Sequence, residues 1–293
     1  MAGFSRRVRV VLLITLSVLV ALIFIGRRMN QGKIGGQGVA EPFRIAGNFY
    51  YVGATDASAF LITGPEGHIV IDAGYPTTAK LVMASIAKLG FNIKDVKVLL
   101  NSEPHPDHGG GLAVLQEASG AKLFASEPSA YTLSHGGDDP DIIFPVRLLL
   151  WLGLVGYPSA RVDHVIRDGE VIRVGPLAVT AHITGGHTRG CTSWSFPVQD
   201  KGRMLNVVSA CDVERLGNTR YAEQDADIQR SIRFLRSLPA DIWVTSHARW
   251  WGRYRKFAAS RAASDPVQSF IDPAGYRAFL DTAEARFRRG VVH

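Results

Sequence analysis

Two cysteines, Cys191 and Cys211, are all that the 293 residues contain, which excludes a disulfide-built mini-domain. Glycine and proline, at 30 and 14 residues, follow no fixed period, and with 46% of residues hydrophobic the chain is neither collagen-like nor disordered. No internal repeat of short period is present. Acidic residues are missing from the first 40 positions, which hold Arg6, Arg7, Arg9, Arg27, Arg28 and Lys33. The formal charge of +7 is therefore local, and the remainder carries 27 basic against 26 acidic residues. A nearly neutral globular part offers no basic face to phosphate, so nucleic acid is not an expected partner.

Charge is also absent from residues 10–26, a run made almost wholly of Val, Leu and Ile and flanked by Arg9 and Arg27. As a helix it would cover about 25 Å, between a signal-peptide core and a full span. No small-x-small cleavage site follows closely, the nearest being Gly38-Val39-Ala40. The expected division is an N-terminal signal-anchor or signal peptide over 1–29, a flexible linker over 30–41 and one globular domain over 42–293. Membrane contact through residues 10–26 would place that domain outside the cytoplasm, in a periplasmic or extracytoplasmic position.

Beyond residue 42, short apolar runs rich in β-formers alternate with helical patterns, an α/β arrangement. Strands are expected at 49–52, 60–63, 68–71, 96–100, 122–125, 171–174, 177–183, 192–196, 205–209 and 242–245. Helices are expected at 77–89, 111–118, 228–238 and 273–288. Residues 142–158, IIFPVRLLLWLGLVGYP, break the rhythm, with Arg147 as their only charge. They read equally as a core-packed helix or as a lid or membrane-resting lip over a cleft, with Phe144, Leu150 and Trp151 available for apolar contact.

The chemistry concentrates at Asn101-Ser102-Glu103-Pro104-His105-Pro106-Asp107-His108-Gly109-Gly110-Gly111, directly after an expected strand. Four potential metal ligands, Glu103, His105, Asp107 and His108, fall within six residues, and imidazole with carboxylate suits Zn²⁺. His187, in Gly-Gly-His-Thr-Arg-Gly, and His247, in Thr-Ser-His, each follow another strand. Six ligands are enough for two zinc ions with three protein ligands each.

These stretches, with Ile71-Asp72-Ala73-Gly74, Gly169-Glu170-Val171-Ile172 and Cys191-Thr192-Ser193-Trp194, resemble the metallo-β-lactamase superfamily in order and spacing, and within it the class B, subclass 3 enzymes. The resemblance implies an αββα sandwich of two mixed β-sheets with helices on the outer faces and the site along one edge. It implies one zinc ion held by Glu103, His105 and His187 and another by Asp107, His108 and His247. Asp107, His105 and His187 would carry the catalysis. The family pattern opens with His-x-His-x-Asp-His, so Glu103 is a departure that replaces a neutral imidazole by an anionic oxygen. Asp72 and Cys211 would support the ligands from behind, Asp72 through a hydrogen bond to one of them. Cys211 and Asp212 fall where the subclass has a serine, other lactamases a ligating cysteine and many superfamily hydrolases a bridging aspartate, and the register between them stays open. Cys191 and Cys211 stand equally as a disulfide or as two buried small residues. His68, His135, His164 and His293 read as structural or surface residues, and His182 as a loop support.

The activity that the resemblance implies is hydrolysis of a β-lactam amide by a hydroxide that the zinc ions activate, giving an antibiotic-resistance type of enzyme. The alternatives are a lactonase or thioesterase of the same fold, and a membrane-tethered binding protein that has lost one metal.

Overall fold

The structure, a computed structural model, describes residues 5–30 and 37–292. Half of the expected linker, residues 31–36, and His293 lie outside the described residues. Arg6–Asn30 form a helix, α1, whose Val10, Val11, Leu12, Leu13 and Ile14 are exposed. Among the described residues no helix is long and apolar enough to cross a membrane.

The remaining elements form two sheets with helices outside them. The first sheet takes its strands in chain order: β1 (Phe43–Ala46), β2 (Phe49–Tyr51), β3 (Phe60–Ile62), β4 (His68–Ile71), β5 (Val96–Leu100), β6 (Lys122–Ala125) and β7 (Val162–Val165). Its first four strands pair antiparallel, and β4 through β7 pair parallel, joined by α2 (Ala79–Lys88), α3 (Leu112–Ser119), α4 (Glu127–Ser134) and α5 (Phe144–Trp151). The second sheet holds β8 (Val171–Val174), β9 (Leu177–Ile183), β10 (Thr192–Asp200), β11 (Arg203–Ala210) and β12 (Ile242–Thr245) in the order β12-β11-β10-β9-β8. Alongside it run α6 (Gln224–Ser237), α7 (Arg253–Ala262) and α8 (Pro273–Arg288). This is the metallo-β-lactamase sandwich that the sequence resembles.

Strand periodicity explains the layering. In β3, Phe60 and Ile62 face the inter-sheet core with Phe49, Ile69, Trp194 and Phe196, while Leu61 faces the other way with Val70 and Leu99 to meet α2 and α3. Ile228, Ile232 and Leu235 of α6 join Tyr276 and Leu280 of α8 in covering the second sheet. Four short elements escape the sequence reading. β1 is bulged, β7 carries Asp163 and His164 on a largely exposed strand, α4 contains Pro128 and two serines, and α7 is strongly polar.

Cys191 and Cys211 form a disulfide, with Cα atoms 5.9 Å apart. They lie just before β10 and just after β11, so the bond closes the open end of that antiparallel hairpin. Replacing both by serine should cost about 3 kcal/mol through the freed 20-residue loop, and lower Tm by roughly 10 °C. A melting curve unchanged by the substitutions would contradict this.

Candidate metal centre

The site lies where β5, β9, β11 and β12 end, on one edge of the sandwich. After β5 the chain must turn back at once into α3, and glycine makes this turn possible. A Cβ on Gly111 would sit 2.6 Å from the Ala73 carbonyl oxygen, and one on Gly110 would sit 2.4 Å from that of Pro106. Asp72, at the end of β4, adopts φ 60°, a left-handed conformation seldom taken by a residue with a side chain. Its carboxylate accepts the Ser102 backbone N–H at 2.8 Å and so pins the start of the ligand loop. The expected bond from Asp72 to a ligand does not form. The carboxylate is spent on the loop backbone instead, and burial raises the Asp72 pKa to about 6 against the opposing charge of His108.

Two groups of donors result. In the first, Glu103 Oε2 lies 2.6 Å from His105 Nδ1 and 3.1 Å from His187 Nε2. In the second, Asp107 Oδ2 lies 3.3 Å from His108 Nε2 and 3.6 Å from His247 Nε2. Each set of three donor atoms falls within 4.8 Å and could hold a metal ion. A tetrahedral zinc with ligands near 2.05 Å has edges of roughly 3.3 Å, so most of these spacings suit a shared ion better than direct hydrogen bonds. The structure thus brings all six sequence-expected residues together. Glu103 Oε1, 3.6 Å from His108 Nε2, links the two groups and has no hydrogen-bond partner.

Neighbouring acceptors aim two of the imidazoles. His187 Nδ1 donates to the Glu214 carbonyl at 2.8 Å, and His247 Nδ1 donates to Asp56 Oδ2 at 3.1 Å, which turns both Nε2 atoms into the site. Asp56 also accepts the Arg249 backbone N–H at 3.0 Å, and its side chain pairs with the Arg249 guanidinium. Sequence reading missed Asp56, because 191 residues separate it from His247 and no short motif joins them. The open register also resolves. Cys211 is tied to Cys191, and Asp212 Oδ2 lies 3.5 Å from His247 Nε2, so a third carboxylate borders the second group.

The electrostatics follow from packing carboxylates against histidines out of water. Burial opposes the charge on Glu103, but His187 and His108 outweigh it and hold the carboxyl well below its ordinary range. Burial alone would lower the His187 pKa, but Glu103 more than offsets this and raises it to about 9. His108 and His247 are raised too, against burial, by Asp107 and Asp212 respectively. Folded metal-free protein therefore binds protons that the unfolded chain releases. The His187 contribution is full below pH 6.5 and is lost as pH rises through about 9. The Glu103 contribution has the opposite sense, being present above pH 4.5 and lost as pH falls through its lowered value. Chelated protein should accordingly lose Tm between pH 6.5 and 9, whereas zinc, which displaces these protons, should bind more tightly over the same interval. A flat Tm for the chelated protein would contradict the pairing.

Residues 142–158 do not pack as a core helix, since no residue of α5 is buried. Ile142, Val146, Leu149, Leu150 and Val155 instead line a cavity of about 270 Å³ that also touches His105 and Pro106. The Tyr157 hydroxyl donates to the Pro104 carbonyl at 2.5 Å and fastens the far end of the segment to the ligand loop. Phe144 and Trp151 point outward, 64% and 59% exposed, so the lining comes from neighbouring side chains on the opposite face.

An αββα sandwich with two histidine-carboxylate donor sets at one sheet edge defines a hydrolase of the metal-dependent class. The model of the metallo-beta-lactamase superfamily matches residues 52–201, and the chain belongs to that superfamily. Among solved structures, Rm3 metallo-beta-lactamase superposes with a TM-score of 0.80 at 35% identity, covering 86% of this chain and 94% of that one. MEM-A1, a subclass B3 metallo-beta-lactamase from a soil metagenome library, gives 0.78 at 33% identity, covering 87% and 97%. Hydroxyacylglutathione hydrolase of Jannaschia sp. (strain CCS1) is 24% identical over 72% of this chain and 69% of its own length.

Proposed function

We infer that the protein is a zinc-dependent β-lactamase in which Glu103, His105 and His187 hold one ion and Asp107, His108 and His247 hold another. Such ions would lower the pKa of a water to about 7 and polarise the attacked carbonyl. Asp107, whose side chain is the most exposed of the six, would orient that water. His187 and His247 hold their protons on Nδ1, against Glu214 and Asp56, which leaves each Nε2 free to face the metal. The apolar cavity under α5 receives the side chain of the substrate beside His105. The observation that carries this reading is the pair of donor sets, joined to near-complete coverage of two metallo-beta-lactamases at 33% and 35% identity. The disulfide supports a place outside the cytoplasm, where oxidising conditions keep such bonds formed.

A second reading, thioester hydrolysis, is favoured by Asp212, a further carboxylate 3.5 Å from His247 Nε2, and by the 24%-identical hydroxyacylglutathione hydrolase. The two separate when penicillin, cephalosporin and carbapenem opening is compared with cleavage of an S-acylglutathione. Higher kcat/KM for a lactam supports the first reading, and higher kcat/KM for the thioester supports the second. Within the first, Leu150→Ala should raise KM about 10-fold for lactams with bulky apolar side chains and leave small ones unchanged. Equal effects on both would move the apolar contact elsewhere.

A further inference from the structure

Glu103 belongs to a second cluster besides the one with His105 and His187. One of its carboxylate oxygens and the sulfurs of Cys191 and Cys211 all lie within 4.8 Å of one another, and all three residues are fully buried. Glu103 Oε2 is engaged by the two histidines, whereas Oε1 makes no hydrogen bond and has only His108 Nε2, at 3.6 Å, as an ionic neighbour. While the disulfide stands, its sulfurs are poor ligands, because metals are bound by thiolate. Carboxylate with two thiolates would be a soft, doubly sulfur-based set, of the kind that selects thiophilic ions over hard ones.

We propose that the Cys191–Cys211 disulfide is a latent metal site, which reduction converts into a Glu103-Cys191-Cys211 set for a thiophilic divalent cation. A dithiol supplies the two electrons and two protons and leaves as a cyclic disulfide. The S–S bond breaks, two thiols form, and the incoming cation displaces both thiol protons to solvent. Zinc-type ligation needs the sulfurs about 3.8 Å apart, a separation that side-chain rotation can reach from Cα atoms 5.9 Å apart. The set shares its carboxylate with the first histidine pair, so it couples redox state to the metal centre through Glu103. It does not depend on the substrate being a lactam.

The test uses full-length protein, chelated, then loaded with Co²⁺ before and after treatment with excess dithiothreitol. Alkylation under a denaturing quench counts the free thiols. The expected result is a thiolate-to-cobalt charge-transfer band in the near ultraviolet that appears only after two thiols are freed, and that is lost in Cys191→Ser/Cys211→Ser. Cys211→Ser alone, which keeps one sulfur, should retain a band of about half the intensity and serves if the double variant does not fold. Two freed thiols without a charge-transfer band would overturn the proposal, as would a disulfide that resists excess dithiol. Lactam hydrolysis is read separately, so its absence leaves this result unaffected.

Discussion

Glu103→Ala should weaken zinc binding at the first donor set by about 100-fold, the upper end of what supporting metal contacts usually contribute, and turnover should fall with it. The same change removes the carboxylate that lies against His105 and His187 and within 3.6 Å of His108. Breaking a buried ion pair on one side costs about 3 kcal/mol, so chelated Glu103→Ala should also unfold at lower urea concentration at pH 6. Glu103→His should act in the opposite direction on the metal. An imidazole has a fixed lone-pair direction that a carboxylate lacks, so zinc should bind that variant more tightly. A carboxylate also donates more negative charge to an ion than imidazole does, so an ion held by Glu103 would be the weaker Lewis acid. Unchanged zinc stoichiometry and turnover in Glu103→Ala would remove Glu103 from the ligands and leave a one-zinc enzyme served by Asp107, His108 and His247.

Asp56→Ala should reduce zinc affinity at the second donor set by about 10- to 100-fold and leave the first set untouched. Asp56 makes no contact in the first set. It acts through His247 Nδ1, which without its acceptor loses both the fixed tautomer and the ring orientation. Asp56→Asn, which retains an acceptor oxygen, should recover most of the affinity. Zinc titration with a competing chelator separates the two sites, and equal loss at both would show that Asp56 serves the fold of the loop rather than His247.

The contrast between Glu103 and Asp56 shows which parts of the site were legible in the sequence. Glu103, His105, Asp107 and His108 occupy six residues at the end of a strongly apolar strand, so local spacing declares them. His187 and His247 were legible because each closes a strand with glycine or a small residue beside it. Asp56 and the Glu214 carbonyl could not be read, since their meaning arises only when β2–β3 and the segment after β11 fold against histidines far away in sequence. Asp72 was found by position but given the wrong partner, because sequence spacing does not reveal that Ser102 N–H lies nearer than any imidazole. The strands of the first sheet were legible as short apolar runs in β3, β4 and β5, which are buried on both faces, whereas β7 and α7 were missed because polar residues dominate them. Residues 142–158 were ambiguous for a related reason. Leu149 and Leu150 line a cavity while Trp151 faces solvent, and composition alone cannot separate the two faces.

The most direct test of the central claim is zinc add-back to the chelated full-length protein with lactam opening followed at each equivalent. The account predicts no hydrolysis without metal, and a rate that appears on zinc addition and saturates as both donor sets, of three residues each, are filled. Lactam hydrolysis that survives chelation, or zinc-loaded protein that opens no lactam ring, would contradict it.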